Sequence, residues 1–169
     1  MGESIMRAAY RQTRAWQIRV PHAANLRASV NLSVKKFSKP ALVKSITGIL
    51  DETGRDPSCM KIEITESTIM ESIEFVTTTL KSLREMDIEL SIDDFGTGYS
   101  SLSYLHRFPM NTLKIDQAFV REMHVAPKNL QIVRTSITLA KALDMTVIAE
   151  RIEDETQLKV IRELDCEFG

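Results

Sequence analysis

The stretch SIDDFGTGYSSL, residues 91–102, joins a predicted strand to a glycine-containing turn and gives the first indication of a functional site. An apolar segment with the composition of a buried strand leads into two adjacent carboxylates, Asp93 and Asp94, and a turn containing Gly96 and Gly98 follows. Neighbouring residues of a regular strand face opposite sides of the sheet. We therefore predict that the strand ends at this pair if both carboxylates serve one site. The alternative is a solvated turn with an aspartate cap.

The same order of elements recurs on both sides of this stretch. Apolar, β-branched segments predict strands at 26–33, 59–65, 88–92, 112–116 and 145–149, with a last strand starting at 165–168. Helical spacing predicts helices at 3–18, 41–53, 69–86, about 100–107, 127–143 and 154–163. Strands that alternate with helices are typical of a parallel sheet with crossover helices.

This alternation predicts the α/β class, and within it a TIM-like (β/α) barrel. A closed barrel has eight strands and typically about 250 residues, whereas this chain has 169. We therefore expect an incomplete barrel with about six to seven of the eight strands. Residues 1–169 are expected to form a single partial barrel domain.

Composition limits the possible partners and locations. Hydrophobic residues make up 43% of the chain, and the net charge of −1 comes from 22 basic and 23 acidic residues that are interspersed. Such a surface offers no cationic field for a nucleic acid polymer. No stretch approaches the roughly 20 apolar residues of a membrane span, and no apolar signal core is present, so we expect no membrane segment and a cytoplasmic location. Cys59 and Cys166 have no metal-ligand spacing and are interpreted as reduced structural thiols.

Oxygen-bearing side chains lie at the ends of successive predicted strands, with one lysine among them: Asn31, Glu63, Asp93, Asp94, Lys114, Asp116 and Glu150. Oxygen ligands that converge from several strand ends can build a divalent-metal site in an α/β barrel. An inward Lys114 would be costly alone but is compensated beside carboxylates, metal ions or phosphate. Any single one of these residues is better explained by a turn or an edge salt bridge. Their recurrence favours metal-dependent phosphoester chemistry.

Five sequence pieces together resemble a known family, the EAL domain, a bacterial phosphodiesterase of cyclic di-GMP. The pieces span nearly the whole chain: VNLS at 30–33, EITES at 63–67, DDFGTGYSSL at 93–102, KID at 114–116 and VIAERIED around Glu150. The resemblance implies a TIM-like barrel that holds two Mg²⁺ or Mn²⁺ ions. It also implies that these ions activate a water, which cuts one phosphodiester of cyclic di-GMP to give linear pGpG.

The resemblance also implies a role for individual positions. Metal ligands of the family match Asn31, Glu63, Asp93 as the bridging ligand, and Asp94 on the second ion. Residues that orient the attacking water match Lys114 and Glu150, and residues that brace the loop after Asp94 match Glu66 and Glu153.

The chain departs from the family pattern in three places. The 169 residues contain no Glu-Ala-Leu signature, whose Glu is a metal ligand in the family, and they stop at Gly169, where the family continues with a Gln and a final strand. Arg151 stands where the family usually has Gly, and it is expected to pair with Glu150 and compete for it. A domain truncated at both ends is therefore expected to have negligible turnover.

Two alternatives follow from these departures. The chain is either a portion of a hydrolytic enzyme or a degenerate EAL-like module that binds cyclic di-GMP or a protein partner without catalysis. An open barrel would also leave strand edges unpaired near 26–33 and 165–168, which predicts a homodimer or other self-association.

Overall fold

The computed structural model describes residues 2–32, 41–54, 56–70, 73–98 and 105–166 of the chain. Strands and helices alternate through these ranges, and short 3₁₀ helices lie at Pro21–Ala23 and Pro57–Cys59. The elements are α1 (Gly2–Arg19), β1 (Ala28–Asn31), α2 (Leu42–Thr53), β2 (Met60–Thr65), α3 (Glu66–Met70), α4 (Ile73–Glu85), β3 (Glu89–Phe95), β4 (Thr112–Ile115), α5 (Gln117–Glu122), α6 (Pro127–Ala142), β5 (Thr146–Ala149) and α7 (Glu155–Glu163).

The strands form one five-stranded sheet in chain order, β1-β2-β3-β4-β5. The pairs β1–β2, β3–β4 and β4–β5 are parallel. This confirms the predicted α/β class and the incomplete barrel. The sixth strand, predicted to start at 165–168, is not seen in its described part, since Asp165 lies in a turn and Cys166 in no regular element. Residues 167–169 lie outside the described ranges.

The chain divides into two compact units, one of residues 1–64 and 68–90 and the other of residues 65–67 and 91–169. In the first unit, α1 packs against β1 and α2. Tyr10 of α1 is fully buried, and its hydroxyl donates to the carbonyl of Ala28 at 3.2 Å. The first strand of the sheet is thereby fixed to the N-terminal helix.

In the second unit, α6 covers β4 and β5. Its buried positions follow helical spacing: Val133, Ser136, Ile137 and Ala140. The β4–β5 ladder continues one residue past the strand, because the backbone N–H of Glu150 donates to the carbonyl of Ile115 at 3.2 Å. Glu150 is therefore held at a fixed position at the end of β5.

Three helices, α4, α6 and α7, end in the same way. The residue after each helix cap is an aspartate in the left-handed region: Asp87, Asp144 and Asp165, with φ of 65°, 54° and 57°. The amide that follows each aspartate donates to the carbonyl five residues back: Ile88 to Leu83 (3.2 Å), Met145 to Ala140 (2.9 Å) and Cys166 to Ile161 (3.2 Å). This is a Schellman motif, in which glycine is the usual left-handed residue.

Two helix predictions differ from the structure. The helix predicted at 69–86 is present as α3, which already begins at Glu66, and α4, which begins at Ile73, while residues 71 and 72 lie outside the described ranges. The helix predicted at about 100–107 falls mostly on 99–104, which also lie outside them. None of the described helices combines the length and apolarity that crossing a bilayer requires.

Candidate metal centre

Strand β3 does not end at its first aspartate. It extends through Asp93 and Asp94 to Phe95, so the prediction that the strand ends at the pair is wrong. Asp94 instead adopts a left-handed backbone conformation, with φ of 53°. Aspartate tolerates this region better than most residues. The break in regular geometry therefore lies inside the strand.

The pairing of β3 with β4 shows how both carboxylates reach one place. The register partners on either side are Ile92 with Leu113 and Phe95 with Ile115. Two residues of β3, Asp93 and Asp94, thus lie opposite one residue of β4, Lys114. This two-against-one count is a β-bulge, which redirects side chains locally. A regular strand would send the two carboxylates to opposite faces.

The bulge and the end of β5 together build a cluster of three carboxylates. Asp93, Asp94 and Glu150 each offer an oxygen, and these oxygens all lie within 4.8 Å of one another. Asp93 is only 8% exposed. Lys114 Nζ donates to Asp93 Oδ1 at 2.8 Å and pairs with Glu150 Oε1 at 2.6 Å. One ammonium group therefore holds two of the three carboxylates.

Asp94 lies in a region of excess negative charge, which affects its pKa. Burial raises its pKa above 3.8, and the neighbouring charges of Asp93, Asp116 and Glu150, with a hydrogen bond to Asp116, raise it further. Carboxylates at this spacing repel one another unless a cation balances them. Carboxylate oxygens are also the ligands that hard ions such as Mg²⁺ and Mn²⁺ prefer. The residues of the cluster therefore fit a divalent ion.

Asp116 has a second task that the sequence analysis missed. Its Oδ1 accepts the backbone N–H of Ala118 at 2.7 Å and so caps α5, a short helix that was not predicted. An aspartate directly before a helical segment is a signal for such a cap. Asp116 therefore links the start of α5 to the acidic cluster.

Asn31 and Glu63 lie at the ends of β1 and β2, in the first unit. They are register partners in the parallel ladder, and the N–H of Leu32 donates to the carbonyl of Glu63 at 2.9 Å. Glu63 is buried and Asn31 is exposed. The structure thus places these two predicted ligands side by side on neighbouring strands.

Glu66 contacts the turn that follows Asp94. Its buried Oε2 accepts the backbone N–H of Gly96 at 3.0 Å and of Gly98 at 3.4 Å. Gly96 has φ of 98°, and a Cβ at this position would lie 2.9 Å from the ring of Phe119. Only glycine fits there, because any side chain would meet both backbone strain and the ring.

Glu153 is placed differently from Glu66. It is exposed, and its backbone N–H donates to Gln157 Oε1 at 2.7 Å. In the parts of the chain that the structure describes, its carboxylate forms no hydrogen bond or ion pair with the turn after Asp94. Residues 99–104 of that loop are not among them.

Arg151 does not make the expected pair with Glu150. Glu150 pairs with Lys114 instead, and within the described ranges Arg151 forms no ion pair and no hydrogen bond. The arginine is exposed, has a left-handed backbone with φ of 55°, and lines a cavity of about 650 Å³ together with Asp116. Its side chain is therefore available to a ligand.

Comparisons with known proteins place this geometry in context. The family model described as EAL domain matches residues 1–169. The cyclic di-GMP phosphodiesterase NbdA of Pseudomonas aeruginosa is 34% identical over 97% of this chain and 21% of its own length. The chain spans about a fifth to a quarter of the length of the curated relatives it matches.

Solved structures show the same similarity. The MucR phosphodiesterase, solved as a c-di-GMP complex, superposes with a TM-score of 0.92 at 37% identity, over 98% of this chain and 66% of that chain. Klebsiella pneumoniae BlrP1 in its calcium/cyclic di-GMP complex has a TM-score of 0.86 at 26% identity, over 99% of this chain and 42% of that chain. Its manganese/cyclic di-GMP complex gives 0.82 at 27% identity, over 98% and 43%.

Proposed function

Because this chain belongs to the EAL domain family, we propose that it contributes a catalytic domain that hydrolyses cyclic di-GMP to linear pGpG with two Mg²⁺ or Mn²⁺ ions. The proposal rests on the cluster of Asp93, Asp94 and Glu150, whose oxygens lie within 4.8 Å of one another beside Lys114. The names of relatives that are cyclic di-GMP phosphodiesterases support it. Residues 1–169 would form one partial EAL-type barrel domain.

Four residues would hold the ions in this proposal: Asn31, Glu63, Asp93 and Asp94. Asp93 would bridge the two ions, and Asp94 would serve the second. The adjacency of Asp93 and Asp94 at the bulge and the pairing of Asn31 with Glu63 support this assignment. Bound ions would lower the pKa of a water and neutralise charge that develops on the phosphate. Complexes of BlrP1 with calcium or manganese and cyclic di-GMP support the choice of divalent ions.

Lys114 and Glu150 would orient the attacking water. The Lys114 ammonium lies 2.8 Å from Asp93 and 2.6 Å from Glu150, so its position is fixed by two carboxylates. A fixed donor and a fixed acceptor at adjacent strand ends can hold a water for attack without reorganising during the reaction. Glu66 would brace the turn after Asp94 through its two backbone contacts. Glu153 would brace the remainder of the same loop.

A second candidate function is binding without hydrolysis. Two observations favour it: Lys114 already pairs with two of the cluster's carboxylates, and Arg151 places a second cation directly after Glu150 in the chain. The 169 residues also contain no Glu-Ala-Leu, so this polypeptide alone would have negligible turnover. In that case the module would sense cyclic di-GMP or dock on a protein partner. We also propose that the protein is cytoplasmic. It is further proposed to associate into a homodimer, which light scattering can test.

One experiment separates these functions. The purified chain is incubated with cyclic di-GMP and Mn²⁺, the products are separated by chromatography, and binding is measured in parallel by calorimetry. Formation of pGpG that disappears in Asp93→Asn supports the enzyme, and rapid formation contradicts the prediction that these residues alone have negligible turnover. Tight binding without product supports the binding module. If the chain neither binds cyclic di-GMP nor forms pGpG, both proposed functions are contradicted.

A further inference from the structure

A polar cavity of about 650 Å³ lies at the exit of β4 and β5, beside the acidic cluster. Its lining comes from three short segments and includes Asp116, Phe119, Arg121, Glu122, Asn129 and Arg151. The two arginines balance the two carboxylates, so the lining carries no net charge. A cavity of this kind suits a neutral ligand with both donors and acceptors better than it suits a phosphate group.

Arg151 is a charged donor of this cavity. Within the described ranges it has no hydrogen bond and no ion pair, although it adopts a left-handed backbone that is costly for arginine. Arg121, in contrast, lies 3.9 Å from Glu122, which leaves both groups of that pair only loosely engaged. A guanidinium without a partner presents its full fork of N–H donors to a ligand.

The functional groups of the lining match a guanine base. Guanine presents two acceptors, N7 and O6, on one edge, which an arginine fork binds with two parallel hydrogen bonds. Its Watson–Crick edge presents N–H donors, for which Glu122 and Asp116 are carboxylate acceptors. The Phe119 ring, which lies against the backbone of Gly96, adds an apolar side. Adenine would place an amino donor where the arginine needs an acceptor.

The cavity adjoins the candidate metal centre. Asp116 lines the cavity, and its charge is among those that raise the pKa of Asp94 in the acidic cluster. Arg151 directly follows Glu150 in the chain, so a residue of the cavity and a residue of the acidic cluster occupy consecutive positions. A guanine nucleotide whose phosphate lies at the cluster therefore has a place for its base in this cavity.

We propose that Arg151 binds the O6/N7 edge of a guanine base in this cavity and so determines specificity for guanine over adenine. This inference rests on the proposed function, since it assigns a place to one base of the proposed cyclic dinucleotide.

The test compares two dinucleotides by calorimetry in Ca²⁺. Arg151→Lys keeps the charge and removes the fork, and Arg151→Gly removes the side chain and the backbone strain together. Both are expected to weaken binding of cyclic di-GMP about tenfold or more and to leave binding of cyclic di-AMP unchanged. Arg134→Lys, on an exposed position of α6 outside the cavity, is the matched control and is expected to bind both ligands like the parent chain. Unchanged affinity of both Arg151 variants for cyclic di-GMP would overturn the inference, as would equal weakening for the two dinucleotides, which would place Arg151 on a phosphate.

A second measurement separates this inference from the proposed function. The side-chain Nε–H signal of Arg151 is assigned by NMR from its loss in Arg151→Lys and is followed during titration with GMP or AMP. A shift with GMP alone supports guanine recognition even if cyclic di-GMP fails to bind, a failure that would refute only the proposed function. Identical responses to GMP and AMP refute the role of Arg151.

Discussion

Aspartates occupy left-handed positions at both ends of the strands in this chain, but their surroundings differ. At the C-terminal ends of three helices, Asp87, Asp144 and Asp165 are exposed, and their left-handed backbone closes Schellman motifs. Where β3 leaves the sheet, Asp94 has the same backbone conformation, yet its carboxylate shares a cluster with Asp93 and Glu150. The same residue type thus contributes conformation at one end and charge at the other.

The difference teaches how to separate structural from functional acids. An exposed carboxylate is solvated and its charge costs little, whereas a partly buried carboxylate beside like charges remains unfavourable until a cation arrives. In α/β barrels the carboxyl ends of the strands bear the active site and the opposite face contributes stability. Substitutions at the two ends should therefore affect different properties.

Asp93→Asn should give the largest effect of these substitutions, a loss of affinity for metal ions. The amide keeps an oxygen for Lys114 but loses the negative charge at the centre of the cluster, so Mn²⁺ affinity should fall more than roughly tenfold. Calorimetry and the Mn²⁺-induced rise in melting temperature measure it. Asp144→Asn, the matched change at a helix exit, should leave Mn²⁺ affinity unaltered. A similar loss in both variants would remove the distinction between the two ends.

Asp144→Val should give the largest effect on stability. A β-branched residue is strained in the left-handed region, so unfolding free energy should fall by about 1 to 2 kcal/mol. Asp144→Gly should raise it by up to about 1 kcal/mol, since glycine adopts this conformation without steric cost. Urea denaturation measures both. Equal stability of the two variants would mean that the left-handed turn is not maintained in solution.

Asp94→Asn should stabilise the metal-free protein at neutral pH. Because the pKa of Asp94 is raised above 3.8, mainly by burial and then by Asp93, the folded state holds its proton more tightly than the unfolded state does. Ionised Asp94 therefore costs stability, and this cost appears as pH rises from 3.8 through the raised value. In thermal melts with EDTA at pH 7, the variant should have a higher melting temperature than the parent chain. The difference should disappear at pH values below that range. Saturating Mn²⁺ should reverse the order.

Lys141→Met should give the smallest effect. A hydrogen bond from Lys141, 2.5 Å long, and its charge lower the pKa of Asp165 below 3.8. The pair favours the folded state above that ordinary value and loses its contribution as pH falls through the lowered pKa. Because Asp165 is fully exposed, melting temperature should barely change. An NMR titration should instead show the pKa of Asp165 returning toward 3.8; no change would mean that the pair does not form in solution.

Much of the fold follows from periodicity along the chain. The helix predicted at 127–143 is present at Pro127–Ala142, and the strand predicted at 145–149 is present at Thr146–Ala149, because each has an apolar pattern of the right period. Parallel pairing follows from the alternation of strands and helices. The aspartates that follow the three helices were not predicted, because what they share is mainly a backbone conformation. Their common sequence pattern is short: a basic residue, any residue, methionine or leucine, and then aspartate.

The candidate site was only partly predictable. Residue type and strand-end position indicated Asp93, Asp94, Lys114 and Glu150, and the structure brings these four together. The bulge could not be read from the sequence, because it exists only as a register shift between β3 and β4. Strict alternation of side chains therefore led to a strand that ended too early. The sequence likewise could not show that Glu150 pairs with Lys114 and not with Arg151.

The bulge in β3 requires both aspartate positions, because two residues of β3 lie opposite one residue of β4. Loss of either codon would restore a one-to-one ladder with β4 and leave a lone acid opposite Lys114, in a strand of ordinary pleat. The left-handed residue would vanish with it, and the glycine turn that Glu66 holds would start one step closer to the sheet. A change of side chain at either position keeps the bulge, whereas a deletion in β3 here removes the geometry that brings Asp93 and Asp94 into one cluster.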